Sequence, residues 1–123
     1  MGWRLLAAAG WVVLAPFVAF AGEVDVIDVK VRKTGDQTFS FDVTVRHGDT
    51  GWKHYANKWD VVTPQGKVLG TRVLYHPHVD EQPFTRSLSG VRIPPDVTSV
   101  TVRAYDKVHD TGGATKTVSV PHS

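Results

Sequence analysis

Phe39, Phe41, Val43 and Val45 alternate with Ser40, Asp42, Thr44 and Arg46. A period of two sends successive side chains to opposite faces, which makes the segment a half-buried β-strand. Val100, Val102 and Ala104 alternate with Thr101, Arg103 and Tyr105 in the same way. Earlier, Val24 and Val26 hold one phase, and Ile27, Val29 and Val31 take the other. A phase change of one residue within a strand predicts a bulge near Ile27–Asp28. No window from residue 22 to 123 repeats its apolar residues at helical spacing between helix caps, so little helix is expected.

Turn signals break this pattern at strand-like intervals: Thr34-Gly35-Asp36, His47 to Gly51, Pro64-Gln65-Gly66, Pro77 to Pro83, Pro94-Pro95-Asp96 and Thr111-Gly112-Gly113. Between them fall seven expected strands, at 24–32, 38–46, 55–63, 67–75, 84–92, 97–106 and 115–120. Seven short antiparallel strands in about 100 residues predict an all-β, two-sheet Greek-key sandwich.

The N-terminus is of a different kind. Arg4 precedes an apolar run from Leu5 to Phe20, and Ala19-Phe20-Ala21 offers a small-x-small cleavage site. This is the pattern of a secretory signal peptide, residues 1–21, followed by one domain, residues 22–123. At 16 residues and interrupted by Gly10 and Pro16, the run is shorter than the ~20 apolar residues that span a bilayer. The expected location is periplasmic or secreted, with no membrane contact after cleavage. Only Arg4 of the 14 basic residues precedes residue 22, against none of the 12 acids, which leaves a net charge near +1. With no basic cluster, nothing attracts a nucleic acid. There is no cysteine, and Met1 is the one methionine. The expected mature chain therefore has no disulfide, no lipid-bearing thiol and no sulfur ligand.

The run Ile93-Pro94-Pro95-Asp96-Val97 into Val100-Thr101-Val102-Arg103-Ala104 resembles the corner and following strand of fibronectin type III and immunoglobulin-like domains. Trp59, on the third expected strand, stands where such domains keep a core tryptophan. The chain departs from them in lacking the cysteine pair and the corner tyrosine. The segment Trp52 to Trp59, with His76-Pro77-His78 and Glu81-Gln82-Pro83-Phe84, also resembles a group of small exported bacterial proteins without assigned function. These likenesses imply a fold and carry no mechanism.

Chain direction reverses at each turn of a sandwich, so alternate loops share an end. Loops 47–54, 76–83 and 107–114 then fall together and carry five of the six histidines: His47, His54, His76, His78 and His109. Asp49, Asp80, Glu81 and Asp110 accompany them. His76 and His78 lie on one side of an extended segment stiffened by Pro77. With His54, His109 and Glu81 they form a candidate ligand set for one Zn(II) or Cu(II) ion, which suit nitrogen and oxygen donors. The alternatives are solvated loop histidines, or histidines that contact a partner. His47, beside Gly48-Asp49, reads as turn surface.

Trp59 and Phe84 are expected in the core, where a small sandwich needs large aromatics. Trp52 and Tyr55 are candidates for docking an exported protein partner without metal. Arg86 is expected to pair with Glu81 or Asp60. No nucleophile elbow, phosphate loop or His-Glu-x-x-His is present, so no enzyme activity is expected. The chain reads as a small binding module.

Overall fold

The computed structural model describes residues 23–123. The expected signal peptide at residues 1–21 lies outside them. Seven strands follow in order: β1 (Asp25–Gly35), β2 (Thr38–Arg46), β3 (Ala56–Val62), β4 (Val68–Val73), β5 (Phe84–Arg92), β6 (Ser99–Asp106) and β7 (Lys116–Ser119). They form two antiparallel sheets, ordered β1-β2-β5 and β4-β3-β6-β7. Among the described residues there is no α-helix, and no helix long and apolar enough to cross a membrane.

The alternation explains the layering. Phe39, Phe41, Val43 and Val45 of β2 are fully buried, as are Val100 and Val102 of β6, and all face the space between the sheets. The pairing of β1 with β2 shifts register between Val26 and Asp28. This is the bulge that the phase change marks: Val26 is buried before it, and Val29 and Val31 pack on the core after it. Without that extra residue one half of β1 would turn its valines to water.

Trp59 is the largest fully buried side chain and lies in the centre of β3, with Phe39, Phe41, Ile93 and Phe84 in the same core. Its indole Nε1 has no hydrogen-bond partner. The residue thus contributes through packing alone and bears the cost of one buried unpaired donor. The segment around Gly113 closes the sandwich beside the start of β1. Val26 N–H donates to Ala114 O at 2.8 Å, and Ala114 N–H donates to Asp25 Oδ1 at 2.8 Å. A Cβ on Gly113 would stand 1.9 Å from Val24 O, so only glycine fits this approach.

A core this small depends heavily on its largest member. Trp59→Ala should cost about 3–5 kcal/mol, the range for aromatic truncation in a core. The check is urea unfolding at neutral pH. A loss below about 1 kcal/mol would show that Trp59 does not anchor the packing.

Candidate metal centre

The inward phase of two strands continues past their apolar residues into ionisable ones. After Phe39, Phe41, Val43 and Val45, the next two inward positions are His47 and Asp49, which are 3% and 5% exposed. After Val100, Val102 and Ala104 the next is Asp106, at 1%. Three polar groups therefore lie at the end of an apolar core, where each requires a partner.

Asp106 is where they meet. Its Oδ2 lies 3.0 Å from His47 Nε2, 3.4 Å from His54 Nε2 and 3.0 Å from His109 Nδ1. Its Oδ1 accepts the N–H of Val108 at 2.8 Å and the N–H of His109. Burial pushes the Asp106 carboxyl up, but the backbone and ring bonds of His109, with those of Val108 and His47, outweigh it and hold it below 3.8. The His54 ring stands edge-on to His47 at 4.7 Å and lies 5.1 Å from His109. One ligand atom each from His47, His54 and Asp106 lies within 4.8 Å of the others. Two ligand atoms on a tetrahedral ion, bound at about 2.0–2.1 Å, stand about 3.3 Å apart. The contacts around Oδ2 are of that size.

Asp49 lies behind His47. Its Oδ1 accepts from His47 Nδ1 and, at 3.1 Å, from Ala56 N–H. Its Oδ2 accepts from His78 N–H at 2.7 Å. Gln82 adds two further ties: its Oε1 accepts from His47 N–H at 2.9 Å, and its Nε2 donates to His78 O at 2.9 Å. The segment around His78 is thereby fastened to the segment between β2 and β3.

The residues singled out from sequence divide. His54 and His109 stand beside Asp106, together with His47, whose burial corrects its reading as turn surface. His78 joins this network through its backbone only. Its ring stacks on Phe84 at 3.8 Å, its Nε2 accepts from Arg86 Nη2 at 2.9 Å, and its Nδ1 is buried without a partner. His76 is exposed, its ring 4.7 Å from that of His78. Glu81 is exposed and pairs with Arg86 at 3.8 Å, whereas Asp60 takes Thr71, Tyr105 and Arg103. Trp52 is 63% exposed and meets Tyr55 edge-on at 5.7 Å. An open groove runs from Trp52 to His76, Pro77 and Glu81. Sequence reasoning missed His47 and Asp106 as a pair, although the period-2 count, carried one step further, reaches both.

Burial, then the charges of Arg86 and His76, lower the affinity of the His78 ring for a proton below its usual 6.5. The unfolded chain therefore takes up that proton first as pH falls, and the folded state loses stability below about 6.5. The urea midpoint of the wild type should drop between pH 7 and pH 5, and His78→Gln should remove part of that slope. Identical slopes in the two chains would contradict the assignment. Asp106, held below 3.8, acts in a separate and more acidic window.

No family model matches the chain, and no solved structure matches it. A protein of Halomicrobium mukohataei that bears the name "Putative lipoprotein" is 41% identical over 91 residues. The match covers 74% of this chain and 44% of that protein, so the chain spans less than half the length of this relative.

Proposed function

We propose that the chain is an exported binding module whose loop end holds one transition-metal ion, Zn(II) or Cu(II), through His47, His54 and Asp106, with His109 against the same Asp106 oxygen. One observation carries this reading: three imidazole nitrogens stand 3.0–3.4 Å from a single oxygen of a buried carboxylate. That carboxylate faces five nitrogens, and it offers about four lone-pair sites. A cation among the rings lets the imidazoles turn lone pairs inward instead of competing as donors. The set is nitrogen and oxygen only, which suits a borderline divalent ion. The residues belong to a binding site, and no catalytic role is assigned to them.

Export is supported by the N-terminal pattern at residues 1–21 and by the name of the relative. A domain at residues 22–123 and the immunoglobulin-like, Greek-key connection are supported by the strand order. The first, second and fifth strands share one sheet, and the third and sixth share the other. The relative is named as a lipoprotein, whereas these 123 residues contain no cysteine to carry a lipid.

Titration of the purified chain with Zn(II), Cu(II) and Ni(II) tests the site. One ion should bind more tightly than about 0.1 mM, roughly −5.5 kcal/mol. His54→Ala and His109→Ala should each weaken it at least tenfold, whereas His76→Ala should leave it intact. At 100 times the dissociation constant the ion should stabilise the fold by about 2.7 kcal/mol. Loss of binding in His76→Ala with retention in His54→Ala would move the site to the His76–His78 pair.

A second reading rests on the exposure of Trp52 against Tyr55, a surface suited to docking an exported protein partner. It requires no ion. Trp52→Ala would abolish partner capture and leave metal binding unchanged.

A further inference from the structure

Of the groups around the proposed ion, Asp49 is the one that no ligand set includes, although it is almost wholly buried. We infer that Asp49 is the positioning residue of this site: it fixes which nitrogen His47 presents to the ion, and it links occupancy of the site to the segment carrying His78. The inference rests on the metal-binding reading above.

The first half follows from the bonding of one ring. His47 Nδ1 faces Asp49 Oδ1, and Nε2 faces Asp106 Oδ2 at 3.0 Å. Both ring nitrogens face a carboxylate, which is an acceptor only; once Asp106 turns to an ion, Asp49 is the acceptor left to retain the ring proton, on Nδ1. Nε2 is then the nitrogen that turns a lone pair towards the ion. A carboxylate behind a ligating histidine also makes the ring a stronger donor, and loss of such a partner typically costs 10–100-fold in affinity.

The second half follows from the other oxygen. Asp49 Oδ2 accepts the backbone N–H of His78 at 2.7 Å. The same carboxylate thus holds a ligand ring on one side and the groove wall on the other. When an ion fixes His47, it fixes Asp49, and Asp49 in turn restrains His78 and the groove beside Trp52. The Ala56 N–H at 3.1 Å ties the carboxylate to the start of β3, so it cannot drift to follow either partner alone.

The test uses Zn(II) with the wild type and Asp49→Asn. The amide keeps the shape of the carboxylate but replaces one acceptor with a donor. Zn(II) affinity should fall 10–100-fold, and the His78 amide should no longer exchange more slowly on ion addition, as it should in the wild type. Should the variant fold poorly, nitrogen-15 correlation spectra of the zinc-loaded wild type still decide the matter. They should show His47 protonated at Nδ1 and ligated through Nε2. Ligation through Nδ1, or affinity in Asp49→Asn within threefold of the wild type, would overturn the inference and leave the metal site standing. A wild type that takes no Zn(II) would overturn both.

Discussion

A carboxylate at the end of an apolar core governs how this molecule is built. Asp106 continues the inward row of β6, so it is buried by the same geometry that buries Val100, Val102 and Ala104. A lone buried charge is costly enough that the surrounding chain must answer it. The answer comes from three imidazoles and two backbone N–H groups, which draw both the segment after β2 and the turn after β6 against it. Asp49 repeats the device one layer further out and brings in the segment around His78. Loops that would otherwise be independent are therefore organised by polar necessity, and the same convergence places three ring nitrogens around one oxygen.

The rest of the sandwich is conventional in its physics and lean in its means. With no cysteine there is no covalent staple, so apolar packing around Trp59, Phe39, Phe41 and Ile93 bears the stability of the described residues. The close approach at Gly113 locks the start of β1 under the segment before β7. A bound ion would add to this by favouring the folded chain over the unfolded one.

Much of the fold was legible because alternation is a direct imprint of strand geometry. The seven strands and the bulge after Val26 follow from counting in twos between turn residues, and the burial of Trp59 and Phe84 from a small sandwich's need for large aromatics. The site was less legible for two physical reasons. The glycine and aspartate after His47 resemble an exposed turn, yet the inward phase runs through them, so His47 and Asp49 are buried. His76 and His78 look like a ligand pair, and their rings are indeed neighbours at 4.7 Å. What spacing does not reveal is Arg86, eight residues on, which occupies the Nε2 of His78. Side-chain competition of that kind is settled in three dimensions and leaves no period in the sequence.

The bond between His47 and Asp106 joins residues 59 positions apart. β2 and β6 belong to different sheets, so the bond requires the two sheets to have packed, and the cluster does not exist in a chain still emerging from synthesis. The short local segments that carry His47, His54 and His109 hold no such arrangement by themselves. Any ion that fits there distinguishes a finished molecule from an unfinished one. Timing then enters the chemistry of the proposed site, which exists only once the chain has completed its fold.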